Sequence, residues 1–176
     1  MDFLCIQILN SNHIDSLSNK ARRDLLDDEA WMRELLEHWQ LEAPLPIPTA
    51  ALSELKSLRE QMYSILNGMS QNLAAVNQVL ESVSTRLLLD VRQDGYHLNQ
   101  IYDASGWNLV LWQITKSFAD LLCNYDQSRI KLCDNPDCGW VFYDTSKNKS
   151  RRWCSDKTCG NVMKVRKFRE RQKAAE

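Results

Sequence analysis

Four of the six cysteines form two pairs with the same internal spacing: Cys133 with Cys138, and Cys154 with Cys159. Two close pairs across one intervening stretch bring the chain back to a single point, which is how a tetrahedral thiolate site is assembled. Zinc suits such a donor set, because it accepts four thiolates without redox change, and a site closed by four thiolates has no position left for catalysis. An iron–sulfur cluster and four unligated thiols are the alternatives this spacing leaves. Asn135-Pro136-Asp137 and Gly139 supply the turn chemistry that lets the first pair face one point. Cys5 and Cys123 lie in apolar patterns away from the pairs and are expected in the core. His13, His38 and His97 have no ligand spacing.

The residues between the pairs read as a hairpin. Trp140-Val141-Phe142-Tyr143 and Arg151-Arg152-Trp153 are strand-prone runs flanking the polar stretch Asp144 to Ser150, and a helix beginning near Cys159 would complete a treble-clef-like module. Trp140 and Trp153, beside the ligands, are expected to supply its small core.

Before the cluster the texture is mostly helical. Phe3 to Leu9 is a short apolar element whose length does not decide between helix and strand. Asp28 and Glu29 open an amphipathic helix through Trp31, Leu35, Leu36 and Trp39. Pro44, Pro46 and Pro48 form an extended linker, after which Thr49 can cap a helix with Leu52, Leu55, Leu58, Met62, Ile65 and Leu66 on one face and a stop at Gly68. Asn72 precedes a further helix. Gln93-Asp94-Gly95 between Leu87–Arg92 and Tyr96–Tyr102 is a hairpin signal, and Ser105 can cap a largely buried helix ending near Cys123. The fold class expected is α+β: a mainly helical N-terminal domain over residues 1–130 with one β-hairpin, and a small four-cysteine module over 131–176.

Charge divides the chain at the same place. Residues 1–132 hold 11 Lys and Arg against 17 Asp and Glu, whereas residues 133–176 hold 11 against 6. Lys147, Lys149, Arg151 and Arg152 precede the second cysteine pair, and Lys164, Arg166, Lys167 and Arg171 follow it on the terminal helix. Val162, Val165 and Phe168 are expected to dock that helix on the metal core, leaving the cations for a polyanion, with double-stranded DNA as the expected partner. A zinc-stabilised protein-binding module without DNA contact is the competing expectation. No phosphate loop, nucleophile elbow or paired His and carboxylate motif is present, so an enzyme is not expected. The opening residues lack a basic region followed by an apolar core, and no apolar run is long enough for a membrane span, which points to a cytoplasmic protein.

The stretch from Cys133 through Trp153-Cys154 to Cys159-Gly160-Asn161 resembles the CGNR zinc-finger family, departing from its naming motif at Val162, where that motif has Arg. Leu4 to Ser11 resembles the opening motif of the ABATE domain that usually precedes such fingers, with Gln7 where Asp is common. The resemblance implies a bacterial, stress-responsive transcription regulator whose N-terminal domain senses a small-molecule effector or forms a homodimer, and whose finger binds DNA. Asn10, polar at the end of an apolar element, is the candidate for ligand binding, with a structural cap as the favoured reading of the same residue.

Overall fold

The computed structural model describes residues 2–13 and 23–173, so Met1 and residues 174–176, at the two ends of the expected domains, lie outside the described residues. Helix α1 (Leu4–Leu9) buries Leu4, Cys5, Ile8 and Leu9, a spacing that one helical face can satisfy and a strand cannot. Burial raises the Cys5 thiol to about 11, so it is inert packing. A short antiparallel pair follows, β1 (Asn12–His13) with β2 (Arg23–Asp24). Beneath it Arg59, 4% exposed, forks onto Asp24 with two 2.7 Å bonds and reaches Ser11 Oγ at 2.8 Å. Burial works against ionisation of Asp24, but the Arg59 hydrogen bonds prevail and hold its carboxyl below the ordinary range.

Helix α2 (Glu29–His38) is capped by Asp28, whose Oδ1 accepts from the amides of Ala30 and Trp31. The proline segment is held to the body: its Leu45–Pro46 peptide is cis, Trp107 Nε1 donates to Pro44 O at 2.8 Å, and Leu45 and Ile47 lie against the core. Helices α3 (Thr49–Leu66), α4 (Ala74–Glu81) and α5 (Gly106–Asn124) complete the body, with Leu55, Met62, Ile114, Phe118 and Leu121 at its centre, all 0% exposed. The end of α5 differs from the sequence expectation. Cys123 is exposed, because it falls opposite the inward face set by Ile114, Phe118 and Leu121.

Strands β3 (Thr85–Arg92) and β4 (Gly95–Tyr102) form the expected hairpin, in register throughout and closed by Gln93-Asp94 with Gly95 at φ +129°. It projects from the body with every residue of β3 exposed.

The C-terminal hairpin differs from the expected one. Strand β6 (Val141–Tyr143) pairs antiparallel with β5 (Ile130–Leu132), so the first cysteine pair lies in the connection between these strands. Arg151–Trp153 forms no strand, because the main-chain groups there are already engaged: Asp144 Oδ2 accepts from the Arg151 amide, and Arg152 O accepts from the Asp134 amide. A wide helical turn (Asp156–Gly160) then leads into α6 (Asn161–Lys173). No described helix is long and apolar enough to cross a membrane.

A four-thiol metal centre bolted to the helical body

The connection from β5 to β6 forms a knuckle. The Cys133 amide donates to Trp140 O and the Cys138 amide to Asn135 O, so both sulfurs project to one side. Gly139 sits at φ +70°, where a side chain would be strained, and its carbonyl accepts from Tyr63 Oη of the body at 3.2 Å. The second pair comes from the segment before α6, where Ser155 Oγ accepts from the Thr158 amide and starts the wide turn carrying Cys159.

The four Sγ atoms lie within 4.8 Å of one another. Cys154 Sγ is 3.7 Å from both Cys138 Sγ and Cys159 Sγ. A tetrahedron with metal–sulfur bonds of about 2.3 Å has an edge of roughly 3.8 Å, so the donor set fits one tetrahedral ion. Hydrogen bonds aim at the sulfurs: Asn135 Nδ2 is 3.3 Å from Cys159 Sγ, and the Cys154 amide is 3.4 Å from Cys133 Sγ. These donors stabilise thiolate charge and orient the ligands. The thiols also perturb one another. The hydrogen bond from Cys154 lowers Cys138, and the same contact raises Cys154; burial raises Cys133. Four thiols this close cannot all ionise without a cation among them. Phe142, Trp140 and Trp153 surround the cluster as its small apolar shell. Cys5 and Cys123 are not among the clustered thiols, His97 bonds Asp94 in the hairpin turn, His38 stands edge-on to Trp39, and of His13 only the backbone is described.

Two residues that sequence reasoning passed over organise the stretch between the pairs. Asp144, fully buried, accepts from Lys131 Nζ at 2.6 Å, from the Ser146 amide at 2.8 Å and from the Arg151 amide at 3.0 Å. Burial opposes its ionisation, yet these bonds overcome it and hold the carboxyl far below its usual value. Lys131 also donates to the carbonyls of Lys149 and Arg151, so one ion pair with a buried carboxylate fixes the loop. The signal available in the sequence was Asp144-Thr145-Ser146, an Asx-turn pattern.

The eight cations singled out in the sequence divide into two groups. Lys149 pairs with Asp126 at 2.6 Å, Arg152 with Asp134 at 2.6 Å, and Arg166 with Asp137. Arg151 lies over the Phe142 ring at 4.8 Å and donates to the carbonyls of Trp153 and Cys154. These four are engaged, Lys149 by an acid just before the module and the other three within it. Lys147, Lys164, Lys167 and Arg171 are exposed and form no ion pair among the described residues.

The expected docking of α6 is corrected. Val162, Met163 and Arg166 are its half-buried positions, whereas Val165 is 48% and Phe168 61% exposed. The Arg166–Asp137 pair draws that side of the first turns to the knuckle, and from Lys167 onward the helix has run past the small cluster, with every described residue exposed.

Asn10 is a joint between body and module. Its Nδ2 donates to Val141 O and its Oδ1 accepts from the Val141 amide, both at 2.9 Å, so the side-chain amide extends β6 as a neighbouring peptide would. Val141 is 1% exposed and belongs to the core of the body, and Tyr143 packs edge-on with Tyr125 and tilted against Phe3. A cleft beside this joint is lined by Phe3, Gln7, His38, Trp140, Arg151 and Cys154.

The CGNR zinc finger model matches residues 129–172, and the ABATE model, described as "Putative stress-induced transcription regulator", matches residues 2–125. No curated protein matches the chain. The ABATE match spans well over half of the sequence and meets the finger at the joint just described, and the chain accordingly belongs to the ABATE family and carries a CGNR zinc finger at its C-terminus.

Proposed function

We propose that this protein is a zinc-binding transcription regulator of the cytoplasm that contacts double-stranded DNA through α6. The observation that carries the reading is the ridge of Lys164, Lys167 and Arg171, three exposed cations at helical spacing on an element that starts at the metal centre. Their charge is not spent on acids among the described residues, in contrast to Lys149, Arg152 and Arg166, so it is available to phosphates. Lys147 adds a fourth free cation on the loop fixed by Asp144. Zinc is the ion that suits four clustered thiolates with 3.7 Å separations and no vacant position. Its role is to close the finger and aim α6; the chain's own cations do the binding.

The body is the regulatory part of this reading. An effector seated in the cleft beside Asn10 would touch α1 and the finger together, and so would act on the joint that fixes the orientation of α6.

The exposed Val165 and Phe168 favour a second reading, in which α6 docks on a protein. One experiment separates the two. The zinc-loaded full chain is titrated into labelled duplex DNA across a salt series, beside Lys164→Ala, Lys167→Ala and Arg171→Ala and a Val165→Ser/Phe168→Ser variant. DNA binding predicts a steep salt slope that falls by about 0.9 for each cation removed. Absence of binding at low salt, with metal content and far-UV dichroism intact, would overturn it in favour of the protein partner.

A further inference from the structure

The β3–β4 hairpin is built inside out. Leu87, Leu89 and Val91 share one face with Leu98 and Tyr96 across the ladder, and all five are between 64% and 79% exposed. The charged residues Arg86, Asp90 and Arg92 lie on the other face around Leu88, itself 52% exposed. A two-stranded ribbon with its apolar face in water is marginal alone, and a face of this kind marks a contact surface.

The outer edge of β3 says what it contacts. Eight residues run in unbroken register, with no proline, lysine or bulge to prevent a further strand from adding. The Val91 amide donates to Asp90 Oδ1 at 2.8 Å, which puts the odd-numbered amides of β3 on the free edge, alternating with those facing β4. The sequence along that edge, Arg86-Leu87-Leu88-Leu89-Asp90, is complementary to itself when run antiparallel. With a two-fold axis at Leu88, Arg86 faces Asp90 of the second copy, Leu87 faces Leu89, and Leu88 faces Leu88. In this register the outward groups of Leu87 meet those of Leu89, as an antiparallel ladder requires. The amide of Val91 passes to the carbonyl of Thr85 of the second copy, which frees Asp90 Oδ1 to take the opposing Arg86 while Oδ2 stays 3.8 Å from Arg92 Nε.

We propose that β3 is a homodimer seam: two copies of this chain join edge to edge about Leu88 into a four-stranded antiparallel sheet. A partner of unrelated sequence would have no reason to meet a strand whose charges are paired for its own mirror course. The edge of β4 is the weaker candidate, since its residues alternate between exposed and half-buried, it carries no acid to face a cation, and its one imidazole, His97, is bonded to Asp94.

The test is sedimentation equilibrium of the zinc-loaded full chain over a concentration series, with Arg86→Asp, Asp90→Arg, the double swap, and Leu88→Asp. All three sites are exposed, so folding is checked simply by dichroism and metal content. The seam predicts a monomer–dimer equilibrium that each single charge reversal weakens by about tenfold or more, because each places like charges opposite at two symmetric points. The double swap restores association, and Leu88→Asp removes it. A chain that stays monomeric up to its solubility limit overturns the proposal. So does a dimer indifferent to the charge reversals, which would rest on another surface.

Discussion

Asn10 bonds both main-chain polar groups of one residue, Val141, across a sequence distance of 131 residues, and that residue is buried. Asn10→Ala leaves the main-chain groups of Val141 without their side-chain partner, which costs about 2 kcal/mol. Asn10→Asp is the more telling change, since its carboxylate accepts from the Val141 amide but opposes the Val141 carbonyl. It should destabilise at least as much, read as a lower midpoint in urea with an unchanged slope. Asn135 acts on the other side of the knuckle. It is 1% exposed and donates to Cys159 Sγ, so Asn135→Ala removes a ligand-orienting hydrogen bond while leaving all four sulfurs. Metal affinity should fall by about 10- to 100-fold, measured by competition with a chelator of known affinity. Neither role is visible in the sequence. Asn135 reads there as turn chemistry and Asn10 as a cap or ligand residue, because nothing local in a chain announces which distant peptide a side chain will reach.

At the scale of elements, the loop between the cysteine pairs is held in acid-sensitive fashion. Asp144, Asp126 and Asp24 all have carboxyls lowered in the folded state, so the stability they contribute is complete above their unfolded value of 3.8 and is lost as pH falls below it. Asp126 is brought to about 2 by the hydrogen bond from Lys149. Thermal midpoints of the wild type should therefore decline between about pH 4 and pH 2. Asp144→Asn should lower the midpoint at neutral pH and flatten that decline, because its carboxylate no longer titrates. The variant also leaves the Lys131 ammonium without its buried partner. Helices α2, α3 and α5 and the β3–β4 hairpin were legible from apolar period and turn residues, since long patterned runs average out local accidents. Pairing of β5 with β6 was not, because Ile130-Lys131-Leu132 is too short to carry a strand pattern. The more strand-like Arg151-Arg152-Trp153 lost its place to Asp144, whose side chain took the main-chain donor a partner strand would have used.

For the whole molecule, the chain is a body with a finger that shares its core. The expectation of a boundary at residue 130 rests on charge and cysteine spacing, and that spacing carries no trace of how firmly the parts are joined. Val141 sits in the body's apolar cluster although it belongs to the finger, and Asn10, Tyr63 and Phe3 reach across to Val141, Gly139 and Tyr143. A finger tethered by a loose linker would melt on losing its metal and leave the body unchanged. Here the body should feel the loss. Taking Val141 out of its apolar site and breaking the Asn10 pair removes about 3 kcal/mol from the body. Amide exchange followed by mass spectrometry with and without a strong zinc chelator measures this directly. Faster exchange in α1 as well as in β5, β6 and α6 is expected, with the β3–β4 hairpin, whose strands pair with each other, unchanged. Exchange confined to residues beyond Ile130 would mean that the joint at Asn10 transmits nothing, and an effector in the neighbouring cleft would then have no route to α6.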